Sequence, residues 1–127
     1  MNDKELNFRA GLGAFGNENQ HIPREVDLDT FDAVGHNEDC LRLLIATGIS
    51  FTRPADGYVG AEAGMQQPPI VEPIVDGDLL SAARRVAAKV AASWVTDSDV
   101  ALHRAKTQSA RYMQTQTITQ SIDDLSN

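Results

Sequence analysis

All five prolines and all nine glycines of this chain lie at or before Gly77, leaving the last fifty residues without either. That distribution constrains the fold more than any other feature. Proline removes a backbone donor and blocks the helix interior, and glycine weakens it, so only residues 78–127 are free to form continuous helix. The first 77 residues are punctuated too often for that.

The charge divides at the same place. Residues 1–77 carry 5 basic and 13 acidic side chains, and residues 78–127 carry 6 and 5, for a total of −7. Net acidity opposes a nucleic-acid binder that works by phosphate neutralisation, so nucleic-acid contact is expected to be peripheral at most.

Past Gly77 the helical signal is clear. Asp76 or Asp78 can cap the exposed amides, and Leu79, Ala83, Val86, Ala87, Val90 and Trp94 recur at helical spacing. The pattern predicts a helix over 79–95. Its alanine stripe allows another backbone to come close, and Trp94 supplies one large contact. Thr96 and Asp99 then stand at capping-box spacing, which starts a second helix over about 97–113. The break is short, and an antiparallel helical hairpin is expected. Residues 114–127 are polar, with Ile118 and Ile122 at helical spacing inside a run that alternates like a strand.

One shorter helix is expected near the middle, at about 38–47. Asn37 is its N-cap candidate, Glu38 and Asp39 suit its positive N-terminus, and Gly48 is the residue beyond its end. A buried strand over Leu43–Phe51 is the competing pattern.

The remaining segments read as irregular. Residues 1–36 show no periodic element and are expected to form an extended acidic arm. Residues 52–77 hold four prolines and four glycines, with the small repeat Pro69-Ile70-Val71-Glu72, Pro73-Ile74-Val75-Asp76. Proline every fourth residue excludes helix and a central strand position. Ile and Val between the prolines are too apolar for an idle spacer, so an extended strap lying on another surface is expected. The fold class on this reading is mainly α: a helical hairpin and one short helix, with an extended arm and a Pro-rich strap. Leu, Ile, Val and Phe together number only 30 of 127 residues. So small a supply of bulky side chains, spread over so much irregular chain, suggests that other subunits complete the fold.

Few residues suggest chemistry. Gly11-Leu12-Gly13-Ala14-Phe15-Gly16 matches G-x-G-x-x-G, but no buried strand precedes it and no helix start follows. A flexible glycine arm anchored by Phe15 is the better reading. His36-Asn37-Glu38-Asp39-Cys40 holds the densest set of ligand-type side chains, and His36 and Cys40 share a face at i, i+4. A helix start with Cys40 as a small core residue explains the cluster without a metal. A Cys40 nucleophile assisted by His36 or His21 is the enzyme alternative. Asp27, Asp29 and Asp32 lack the spacing of a calcium loop. Arg84, Arg85, Lys89, Arg104, Lys106 and Arg111 cluster in the helical half, where they can meet the acidic half of a neighbouring copy.

These features predict a non-enzymatic assembly protein of a larger complex, with no metal or cofactor. By architecture alone a virion component is expected: a head–tail connector, head-completion or capsid-associated subunit. Its partners are expected to be protein subunits, other copies of itself included. The partner-binding candidates are Phe15, Pro69, Ile70, Val71, Pro73, Ile74, Val75, Trp94, Ile118 and Ile122. An acidic regulatory module is a further alternative. A charged N-terminus, a single cysteine and no long apolar run point to a cytoplasmic or virion location, without a secretory signal or a membrane span.

Overall fold

A computed structural model describes residues 1–16, 26–64 and 68–109 of the chain. They divide into two units, Met1–Val95 and Thr96–Asn127. The first contains α1 (Asp3–Phe15), α2 (Asn37–Thr47), β1 (Ser50–Thr52), β2 (Tyr58–Glu62), β3 (Ile70–Pro73) and α3 (Leu79–Ala92). The second contains α4, over residues 97–109.

The mainly α expectation is therefore corrected. Among the described residues four helices accompany a three-stranded antiparallel sheet, and the fold is mixed α/β. Two segments account for the difference. The N-terminal stretch expected to be an extended arm holds a thirteen-residue helix, and the Pro-rich strap contributes two strands to the chain's own sheet.

Helix α1 starts on Asn2, whose side chain accepts the Glu5 amide at 2.8 Å, and Asp3 and Glu5 sit in its positive first turn. Leu6, Asn7, Phe8, Ala10, Gly11, Leu12, Ala14 and Phe15 are all buried. Burial thus covers most of the circumference, and such a helix carries no amphipathic stripe to be read in the sequence. Its glycines, which suggested a loose arm, instead serve close packing. A Cβ on Gly13 would stand 2.2 Å from the Ala91 carbonyl oxygen of α3. Only hydrogen fits there. Asp3 pairs with Arg85 near the other end, so α1 and α3 run side by side in the same direction.

Helix α3 is the centre of this unit. It packs against α1, α2, β2 and β3, and Ala82, Val86, Ala87, Ala88, Val90, Ala91 and Ala92 are buried around it. Alanine on several faces lets neighbours on several sides approach the same backbone, which offsets the shortage of bulky side chains. Asp78 caps it by accepting the Ser81 amide at 3.0 Å. Asp76 and Gly77, both left-handed (φ 54° and 73°), make the sharp turn from β3 into the helix.

The sheet order is β1-β2-β3. Val59 and Ala61 of β2 lie opposite Glu72 and Ile70 of β3 and share the inner face. Val59, Ala61 and Glu72 are buried there, beneath α3. The Ile74 amide donates to the Gly57 carbonyl at 2.8 Å. Alternation then directs the backbone groups of Ile70 and Glu72 toward β2, and those of Pro69, Val71 and Pro73 toward the free edge. An edge position is where a strand tolerates proline. The apolar prolyl segment does lie along another surface, and that surface is the neighbouring strand of the same chain.

The second unit, described by itself, opens with a reciprocal cap. The Asp99 amide donates to Thr96 Oγ1 at 3.1 Å, and the Thr96 amide donates to Asp99 Oδ2 at 2.9 Å. Hydrogen bonding from Thr96, its backbone amide first and its side chain second, holds the Asp99 carboxyl below its usual range. Ile118 and Ile122 lie outside the described residues.

Candidate docking surfaces

The outer sheet face carries Tyr58, Gly60 and Glu62 of β2, Val71 and Pro73 of β3, and Ser50 and Thr52 of β1, as the cross-strand register requires. Tyr58 stands directly opposite Pro73, in a pair with about 4.5 Å between Cα atoms, and Val71 is two residues along on the same face. Tyr58 and Val71 are 44% and 43% exposed, and Pro73 is exposed beside them. Thr52 and Pro54 close over Gly60, where a Cβ would stand 2.5 Å from Thr52 Oγ1. Arg53 donates from Nε to the Tyr58 carbonyl at 3.0 Å, holding the β1–β2 connection against the same strand. The result is an apolar cluster of three side chains with a fixed backbone beneath it.

The sheet edges are poor templates by comparison. On β3 only Val71 presents an amide N–H outward, between two prolines, and on β1 only Phe51 does so. Recognition by strand addition has little backbone to pair with, so the side-chain face is the more usable surface.

The partner-binding candidates separate accordingly. Val71, Pro73 and Val75 are exposed, and Pro69 is exposed before the strand; Ile70 and Ile74 are half-buried. Phe15 lies in the interior, edge-to-face on Phe31 with ring centroids 5.6 Å apart, and has little surface left for a partner. Trp94 is half-buried. Sequence reasoning missed Tyr58, which the strand register brings beside Pro73; the Tyr-Val-Gly-Ala run after Gly57 was the available signal.

The cluster at His36–Cys40 serves structure. His36 is the residue before α2, and its exposed imidazole lies 3.6 Å from Asp32 Oδ2. Cys40 is only 5% exposed, and burial pushes its thiol above the usual range even though Arg84 pulls the other way. A nucleophilic cysteine needs the opposite shift. The neighbouring acids bond backbone amides. Asp32 accepts from Gly35, Asp39 accepts from Asp32, and Asp27 accepts from Asp29. Buried Asn7 donates to Asp32 at 2.8 Å and accepts the Val34 amide at 3.0 Å, joining this loop to α1. Arg84 joins it to α3, donating to the Val34 carbonyl at 2.8 Å and to Asn37 at 2.7 Å.

The charge asymmetry of the sequence is thus partly consumed inside the first unit. Arg84 serves the Val34–Asn37 loop, Arg85 holds Asp3 through two hydrogen bonds, and Lys89 holds the buried Glu72 through both carboxylate oxygens. Arg85 holds the Asp3 carboxyl below its usual range. Among the described residues, no three His, Cys, Asp or Glu side chains gather to hold a metal ion, and no helix is long and apolar enough to cross a membrane. Comparison with protein-family models, with curated proteins and with solved structures finds no match to this chain.

Proposed function

We propose that this chain is a non-enzymatic docking subunit of a larger protein assembly, and that the outer sheet face around Tyr58, Val71 and Pro73 is its contact surface. The observation that carries the reading is the exposure of this contiguous apolar cluster on a sheet whose edges offer little backbone for strand pairing. Adjoining exposed apolar side chains on a small domain mark interaction sites more often than isolated ones do. Aromatic and aliphatic anchors held by a fixed backbone lose little conformational entropy on binding. A virion subunit is one form of this role and rests on architecture alone.

The test is the double variant Tyr58→Lys, Val71→Lys. Both side chains point to solvent, so the thermal midpoint should move by no more than about 2 °C, as surface changes usually do. Native mass spectrometry of the full chain, purified with its partners, should show the wild-type complex and lose it in the variant. An unchanged complex refutes the assignment.

A further inference from the structure

The geometry points to a second docking site, on the opposite helix layer, for an acidic, leucine-bearing helical segment of a partner protein. It lies along the seam of α1 and α3 and is independent of the sheet face. A groove of about 410 Å³ opens there, with Met1, Leu6, Ala92 and Val95 as its apolar lining and Arg9, Arg85 and Lys89 as its charged side chains. No acidic side chain lines it. In a chain of net charge −7, the charged side chains of this lining are all cationic.

Each cation also has an acidic partner: Arg9 with Glu5, Arg85 with Asp3, and Lys89 with Glu72. Those carboxylates lie outside the groove lining and fix the direction of the cations, and Arg85 and Lys89 keep donors that their partners do not use. Arg85 has five N–H groups, of which Asp3 takes two, and Lys89 has three, of which Glu72 takes two. The remaining hydrogens can meet a second carboxylate.

The spacing selects the ligand. Arg85 and Lys89 are one helical turn apart on α3, about 6 Å, and the apolar lining at Ala92 and Val95 follows on the same helix. A matching partner carries two carboxylates one turn apart, then an aliphatic side chain for the apolar end. That is a helix laid into a groove by its acidic-apolar face.

The probe is a fluorescein-labelled synthetic helical peptide with glutamates one turn apart flanking leucines, compared with its glutamine counterpart. Exposed Ser93 lines the groove and can be changed without removing any of the three ion pairs. Polarisation with the full chain should show saturable binding of the glutamate peptide. Ser93→Glu should weaken that binding about threefold and Ser93→Lys strengthen it about threefold, the scale of one exposed charge pair. Amide shift perturbations should concentrate at residues 6–9 and 85–95. The site is refuted if the glutamine peptide binds equally well, if both Ser93 variants move affinity the same way, or if the shifts map elsewhere. Loss of the sheet-face complex in the Tyr58, Val71 variant leaves these readouts untouched, so the two readings fail separately.

Discussion

Replacing Gly13 by alanine sets local propensity against tertiary packing. Inside a helix, alanine is favoured over glycine by about 1 kcal/mol, so α1 considered alone becomes more stable. In the folded unit the new methyl would lie 2.2 Å from the Ala91 carbonyl oxygen and 3.1 Å from its carbonyl carbon. Ordinary carbon–oxygen contact requires roughly 1 Å more, so the two helices must part by about that distance. Ala91 is fully buried, so the obstacle has no room to retreat. Overpacking of this kind costs about 3 kcal/mol, at the upper end of the usual range because the obstacle is backbone. After the propensity gain the net loss is about 2 kcal/mol, or about 10 °C in thermal midpoint for a domain near 100 residues. Calorimetry of the full chain measures it. Two companions sharpen the reading. Gly11→Ala should cost less, because the nearest atoms are the movable side-chain ends of Leu28 and Phe31, at 2.9 and 3.0 Å. Adding Ala91→Gly to the Gly13 variant should rescue nothing, because the clashing oxygen remains. A midpoint at or above that of the wild type refutes the close α1–α3 contact.

Three further outcomes are expected. Asn7→Ala leaves the buried Val34 amide without its acceptor and removes one of the donors to Asp32, and should lower stability by about 2 kcal/mol in denaturant titration. Cys40, buried and with a raised thiol pKa, should react with a disulfide reagent at pH 8 far more slowly in the native protein than in denaturant; equal rates would contradict its burial. Asp3→Asn should lower the thermal midpoint slightly at pH 7. The folded-state pKa of Asp3 is depressed by Arg85, so its contribution is complete above the unfolded value of about 3.9 and is lost as pH falls through the lower folded value. The difference between variant and wild type should therefore vanish toward pH 2.

The sheet face shows how far the sequence could be read toward function. Val71, Pro73 and Val75 stood out as apolar residues of the prolyl repeat, and each of them is exposed. Their neighbour Tyr58 did not stand out, because its place beside Pro73 depends on pairing across a connection between strands. Phe15 stood out for the wrong reason. An aromatic in a glycine-rich stretch suggested an anchor for another chain, and the Phe31 ring of its own chain receives it. The groove at Arg85 and Lys89 was not foreseen at all, since its other wall comes from α1.

What the sequence alone determined is local and lies where a signal is complete within one or two turns. Asp78 ahead of α3, Thr96 with Asp99 ahead of α4, and Gly48 in the left-handed conformation after α2 all satisfy or end a helix through groups a few residues away. Only tertiary structure decided α1 and the sheet. Helix α1 is buried nearly all round, so it leaves no periodic trace, and its unfavourable glycines are retained because α3 comes too close for a side chain. The prolines of residues 69–73 exclude a central strand and permit an edge one, and only the partner strand decides which position they hold. Propensity acts over a few residues, whereas burial and pairing are settled by whatever arrives from elsewhere in the chain.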